Sequence, residues 1–174
     1  MAADAPLYLG LLKHTPLGDL WVVVSKKGLV VVEWDDHRSA LDMYLAKRLK
    51  QPSILNMDKT STFLRQLDEY LQGDRKAFTF PIDYSLLRPF QREVLKLVFA
   101  IPYGETRTYG EIAHQMGRER AARAVGRANA TNPMPLVIPC HRVVGADGKL
   151  RGYGGGKGLE TKEWLLKMEG AVIA

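Results

Sequence analysis

Thr108-Tyr109-Gly110-Glu111, followed by Arg118-Glu119-Arg120-Ala121-Ala122-Arg123-Ala124-Val125-Gly126-Arg127-Ala128-Asn129-Ala130, decides how the second half of this chain folds. Thr108 with Glu111 three residues on forms a capping box, in which each side chain satisfies an orphan backbone N–H at a helix start. The helix opened there ends near Gly117, and a second reads from about residue 119 to 129. Two short helices joined by a tight, glycine-containing turn give a helix-turn-helix. Alanine and glycine dominate the second helix, interrupted by arginines. Small side chains let a helix backbone approach another surface closely, and arginines rising from it can pair with phosphates or enter a groove.

Upstream, Pro89 suits the first position of a longer helix reaching about Ala100, with Phe90, Val94, Leu95, Leu97 and Val98 on a broad apolar face. Downstream, Thr131-Asn132-Pro133-Met134-Pro135 breaks the helix, and Leu136-Val137-Ile138 reads as a short buried strand or extended run. Pro139-Cys140-His141-Arg142 follows and holds the only cysteine in the chain. A lone cysteine is often a small buried hydrophobe. Here the neighbours argue for a nucleophile. A thiol reacts as thiolate, which is favoured by nearby cations, a helix N-terminus or an imidazole base. His141 and Arg142 adjoin the thiol, and Pro139 can start a helical turn around it. Beyond lie a turn at residues 145–148, the glycine-rich run Gly152-Tyr153-Gly154-Gly155-Gly156, suited to close approach of a ligand to backbone, and a last helix over about residues 161–168.

The first half carries β signals. Strands are expected at residues 7–12, 20–25 and 29–34, the last two forming an antiparallel hairpin around a glycine-bearing turn. Helices are expected at 39–49 and 61–71, and a short strand at 78–80. His14 and His37 stand apart from other chemistry-bearing residues and read as surface or structural groups. The secondary-structure type changes at residues 83–88, which divides the chain into domains at 1–85 and 86–174. Charge divides there too. Residues 1–85 hold eleven Lys/Arg and eleven Asp/Glu, whereas residues 86–174 hold fourteen and eight, so the net +6 lies wholly in the second half. This asymmetry points to a polyanion partner, nucleic acid first. With one cysteine no disulfide can form within the chain, which suits a reducing compartment. The N-terminus lacks the pattern of a signal peptide, and the apolar runs are too short to span a bilayer.

Ile138-Pro139-Cys140-His141-Arg142-Val143-Val144 resembles the active-site signature of O6-alkylguanine-DNA alkyltransferases. The resemblance covers the C-terminal half in order: Pro89-Phe90-Gln91, Tyr109-Gly110, Ala121-Ala122-Arg123-Ala124-Val125-Gly126, Asn132-Pro133, Tyr153, Gly155-Gly156, and Lys162-Glu163-Trp164-Leu165-Leu166 with Glu169-Gly170. The family implies an α+β architecture: an N-terminal ribonuclease-H-like α/β domain, then a mostly helical, winged-helix-like domain containing the helix-turn-helix. It implies repair of O6-alkylguanine in double-stranded DNA by irreversible, single-turnover transfer of the alkyl group to the protein's own cysteine after base flipping, with O4-alkylthymine as a further candidate substrate.

By the same resemblance Cys140 is the nucleophile, His141 its base through a bound water, Glu169 the carboxylate that orients the imidazole, and Tyr109 the proton donor to the departing guanine. Asn132 ties the helix-turn-helix to the active-site loop. Pro135, Val143, Tyr153, Gly154, Gly155 and Lys162 line the base pocket. Arg123 fills the gap left by the extruded base, and Ala121, Ala122, Gly126 and Arg127 meet DNA, here in the minor groove. No cofactor, membrane or obligate protein partner is implied, and the protein is expected to be a cytoplasmic monomer, nucleoid-associated on DNA, or nuclear in a eukaryote. Some relatives hold zinc through N-terminal cysteines; that half has none, so no metal is expected. Some carry Ser where Gly154 stands, which removes one hydroxyl from the pocket. A non-reactive binder of alkylated DNA, a DNA-binding regulator and a cysteine hydrolase are the alternatives. Cys140 opposes the first, no second reactive cysteine or regulatory domain supports the second, and turnover separates the third.

Overall fold

A computed structural model describes residues 5–174, so the first four residues of the stretch read as lacking a signal peptide lie outside it. The chain divides into two compact units, Met1–Leu86 and Leu87–Ala174.

The first unit is built on a four-stranded sheet. Strands β1 (Leu7–Thr15), β2 (Gly18–Ser25) and β3 (Gly28–Trp34) form an antiparallel meander. The short β4 (Ser53–Leu55) adds in parallel to the other edge of β1, giving the order β3-β2-β1-β4. Helix α1 (Arg38–Tyr44) continues as a π-helical turn, Leu45–Leu49. It packs with Leu41, Leu45 and Leu49 on Leu7, Leu9, Val23 and Val31. Helix α2 (Met57–Leu71), capped by the Asn56 side chain, meets β1 at Gly10. A Cβ there would lie 2.1 Å from Thr60 Oγ1, so only glycine lets the helix seat so closely. Gly10 alternates with Leu9 along the strand, so α2 covers the opposite face from α1. Two covered faces explain the unbroken apolar run of β2.

The strand expected at residues 78–80 does not form. The Gln66 carboxamide takes that segment's hydrogen bonds instead: it accepts from the Thr79 amide (2.9 Å) and donates to Thr79 Oγ1 (2.7 Å). Phe80 packs at a tilt against Phe63 and Phe78 against Tyr70, and Pro81 has no amide to give a ladder. The sheet contact occurs two residues later, as an isolated bridge from Ile82 to Leu29. His14 and His37 lie at the surface, His37 3.3 Å from Glu33.

The second unit is helical. Helix α3 (Pro89–Phe99) has proline at its first position and buries Val94, Leu95 and Val98. Helix α4 (Tyr109–Gln115) opens with the expected capping box, the Glu111 amide donating to Thr108 Oγ1 (3.1 Å) and the Thr108 amide to Glu111 Oε2 (2.6 Å). Gly117 reverses the chain at φ +68°. The next helix begins later than its sequence suggests: Glu119–Ala121 is a 3-10 turn, and α5 runs from Ala122 to Ala130, packed on α3 and α4. A two-residue parallel ladder follows no obvious sequence signal. It pairs β5 (Arg107–Thr108) with β6 (Val143–Val144) and so sets the start of α4 beside the segment that follows Cys140. Helix α6 (Leu159–Met168) closes the unit. No helix among the described residues is long and apolar enough to cross a membrane.

Candidate active site

The segment between α5 and β6 is a tight return rather than the strand expected over residues 136–138. Asn132 organises it. Its Oδ1 accepts the Met134 amide at 2.9 Å, and its Nδ2 donates to the Ile138 carbonyl at 2.9 Å. Leu136, fully buried, sits at φ +72°, a conformation that opposes any non-glycine residue by about 1–2 kcal/mol. The Ile138 amide closes back on the Met134 carbonyl. Pro139, at φ −79° and ψ 65°, is the centre of an inverse γ-turn: the Cys140 amide donates across it to the Ile138 carbonyl at 2.7 Å. Cys140–Arg142 then forms a single 3-10 turn with all three side chains buried.

Burial pushes the Cys140 thiol above its ordinary range. Opposing that are a hydrogen bond from the Asn132 side chain, the positive charge of Lys162, and the amides of Cys140 and His141. The cation that adjoins the thiol in sequence serves a different partner. Arg142 turns away to Glu169, with Nε 2.9 Å from Oε2 and Nη2 2.8 Å from Oε1, while Nη1 donates to the Ile101 carbonyl at 2.6 Å. Burial depresses the His141 pKa against the raising influence of Glu169, so the imidazole is neutral near pH 7. Burial resists ionisation of Glu169, but hydrogen bonds from His141 and Arg142 outweigh it and hold the carboxyl well below the usual carboxylate range. His141 Nε2 therefore carries its proton toward Glu169 Oε1, and Nδ1 is left as the basic nitrogen.

Lys162 is fully buried, and burial lowers its pKa to about 8 against the attraction of Cys140. Its ammonium donates to the Val143 carbonyl (2.7 Å) and the Arg151 carbonyl (3.0 Å). The resemblance set it against the base pocket; here it braces the two ends of the 143–151 loop and faces the thiol electrostatically. Tyr109, the first residue of α4, interacts electrostatically with Cys140, and burial leads its upward pKa shift, so the hydroxyl keeps its proton at neutral pH. A Cβ on Gly126 would stand 3.7 Å from the Tyr109 ring, so α5 crosses directly over that side chain.

Arg123 and Arg127 are exposed on α5, Ala121, Ala122 and Gly126 are half-buried, and Val125, Ala128 and Asn129 face inward. Pro135, Val143 and Gly155 are buried, Tyr153 is half-buried and Gly154 is exposed near the Ala130 carbonyl. Sequence reasoning missed Asn129, whose Nδ2 donates to the Cys140 carbonyl at 3.2 Å. Its one signal was a polar residue on the inward face of an alanine helix, four positions from buried Val125. Among the described residues no cluster of three or more His, Cys, Asp or Glu side chains could hold a metal.

Two family profiles match the chain. The ribonuclease-like domain of 6-O-methylguanine DNA methyltransferase matches residues 7–84, and the DNA binding domain of 6-O-methylguanine DNA methyltransferase matches residues 89–171. Methylated-DNA–protein-cysteine methyltransferase of Salmonella typhimurium is 39% identical over 162 residues, 91% of this chain and 94% of the relative. The crystal structure of Mycobacterium tuberculosis O6-methylguanine methyltransferase superposes with a TM-score of 0.75 at 37% identity, covering 94% of this chain and 93% of that one. Mycobacterium tuberculosis OGT in complex with DNA also gives 0.75, at 36% identity over 95% and 93% of the two chains.

Proposed function

Because the chain belongs to the 6-O-methylguanine DNA methyltransferase family, with both domains matched along it, we propose that Cys140 is the residue that receives the alkyl group. The protein is a DNA repair methyltransferase, moving an alkyl group from O6-alkylguanine in DNA to one of its own cysteines, and the chain has one. The carrying observation is the environment of that sulfur: a buried thiol met by the Asn132 carboxamide, the Lys162 charge and two backbone amides, next to a neutral His141 on an ionised Glu169.

The chemistry follows from these groups. Displacement at an alkyl carbon needs a soft, unhindered nucleophile, and thiolate is the best a protein offers. His141 Nδ1 takes the thiol proton, through a water by resemblance to the family, while Glu169 fixes the tautomer and stabilises the imidazolium. The sulfur–carbon bond forms as the carbon–O6 bond breaks, and the electron pair leaves with guanine. Tyr109 supplies a proton to that anion, and its hydroxyl is restored from the imidazolium side, so the thiol proton ends on the base. The thioether resists hydrolysis, so each molecule reacts once.

Arg123 and Arg127 rise from the exposed face of α5, and Ala121, Ala122 and Gly126 leave the helix low enough to lie deep in a groove, which favours minor-groove docking with Arg123 filling the space of a flipped base. Tyr153, Gly154 and Gly155, with Pro135 and Val143 behind them, form the base pocket. The reading takes the protein to act as a monomer in a reducing, cytoplasmic compartment that keeps its thiol free. Intact-mass spectrometry after incubation with an O6-methylguanine duplex tests it. One methyl mass per chain is the expected gain, absent in Cys140→Ala; a Cys140→Ala protein that still gained the mass would refute the assignment.

A further inference from the structure

Asn129 stands on the inward face of α5, 4% exposed, with its Nδ2 on the Cys140 carbonyl and its Oδ1 buried without a hydrogen-bond partner among the described residues. For stability alone this is a poor choice. A buried acceptor left unsatisfied opposes folding by about 1–3 kcal/mol, whereas a leucine, of the same branching though larger, would strand nothing. The residue therefore has a task other than packing.

We propose that Asn129 is a positioning residue for the nucleophile: by holding the Cys140 carbonyl toward α5, it turns the His141 amide toward the Cys140 sulfur. No peptide bond in the described chain is cis. In a trans peptide the C=O and the following N–H point in opposite directions. Fixing the oxygen of the 140–141 peptide on one side thus fixes the N–H of His141 on the other. The Cys140 carbonyl has two lone pairs. The Val143 amide, closing the 3-10 turn, takes one, and Asn129 takes the other. Within the turn the Arg142 amide holds the Pro139 carbonyl at 2.8 Å and the Val143 amide holds the Cys140 carbonyl, so the 140–141 peptide oxygen has one backbone bond and Asn129 supplies its second. The amides of Cys140 and His141 both act on the sulfur, and an aimed donor stabilises thiolate more than thiol. Asn132, three residues on, performs the parallel task two peptides earlier, at the Ile138 carbonyl. The end of α5 and the turn after it thus hold the backbone on both sides of Pro139.

The inference rests on Cys140 being the nucleophile, but its test reads the sulfur directly and needs no DNA. Groups facing the thiol are Tyr109 from α4, Lys162 from α6, and His141 on its own turn; Arg142 is bound to Glu169, and Arg151 acts on Tyr109. All are shared by parent and variant, so a difference isolates residue 129. With one cysteine per chain, cysteine labelled with carbon-13 at Cβ gives one resonance, whose pH titration reports the thiol. Asn129→Leu is expected to raise the titration midpoint by about 0.5–1 pH unit, a three- to tenfold loss of thiolate at a given pH, with the melting temperature unchanged or higher. An unchanged midpoint in folded variant overturns the proposal. Should Asn129→Leu fail to fold, the parent decides the matter: the His141 amide proton is expected to shift on ionisation of the thiol and on its alkylation by iodoacetamide. A His141 amide indifferent to both events would sink the idea.

Discussion

Glu169 Oε1 lies 2.8 Å from His141 Nε2, and neither side chain reaches solvent. The same oxygen also accepts from Arg142 Nη2. One buried carboxylate thus orients the imidazole and neutralises the arginine that sequence adjacency would assign to the thiol. Burying the ion pair carries a desolvation penalty that only this full set of hydrogen bonds offsets.

This arrangement makes stability fall in mild acid. The folded pKa values of His141 and Glu169 are both depressed. The unfolded chain therefore binds more protons than the folded one once pH drops below each group's unfolded value, about 6.5 for histidine and 4.3 for glutamate. Their contribution is complete above those values and is lost progressively below. Lys162, lowered to about 8, adds only a shallow decline between pH 8 and 7, and melting temperature is expected to fall more steeply from about pH 6.5 downward. A flat profile to pH 5 would contradict the buried, neutral His141.

Glu169→Gln keeps the shape but leaves Arg142 buried without its counter-charge and His141 without its orienting anion. A stability loss of about 3 kcal/mol, hence a melting temperature lower by roughly 10 °C, is expected from breaking a buried pair. At temperatures where the variant is folded, methyl transfer should still slow by about 10²-fold or more, by analogy with loss of the orienting carboxylate in a hydrolase triad. Single-turnover rates at low temperature separate the two effects; a normal rate there would deny Glu169 any part in the chemistry.

Tyr109→Phe retains the ring that α5 crosses at Gly126 and removes only the hydroxyl. Thermal stability is expected to stay within about 1 kcal/mol, since among the described residues no hydrogen bond of that hydroxyl anchors the fold, while the transfer rate falls by about 10²–10³, typical of deleting a donor to developing charge. A variant with parental rate would remove Tyr109 from the reaction.

Arg123→Ala should slow repair of a lesion within duplex far more than reaction with free O6-benzylguanine, because only the duplex requires a base to be extruded at a few kcal/mol. Binding of the parent to undamaged duplex should also weaken steeply with salt, because the net +6 charge lies in residues 86–174. Equal losses on both substrates, or salt-independent binding, would count against α5 as the DNA-facing helix.

Local chemistry was legible in the sequence and distant pairing was not. The Thr108 capping box, Pro89 at a helix start and the Gly117 reversal each depend on a few adjacent residues, and each formed as read. Leu136-Val137-Ile138 read as strand because its composition is β-like, yet the carboxamide of Asn132 folds it into a return. Residues 78–80 failed in the same way, to the side chain of Gln66. β4, and the β5–β6 ladder across some thirty-five positions, are too short to leave a periodicity. In the site, proximity along the chain misassigned Arg142, and the partner of Asn129, eleven residues on, lay beyond any local pattern.

Pro139 lends the thiol a history. Its ring confines φ near the observed −79°, and the inverse γ-turn across it commits the Ile138 carbonyl to the Cys140 amide, so the 3-10 turn, whose Arg142 amide already holds the Pro139 carbonyl, is not extended further back. The backbone ahead of the sulfur thus has few other routes to take, and its direction of fire is laid down as the chain folds. A lesion arriving later meets a weapon already sighted, and little ordering entropy remains to be lost at the moment of encounter.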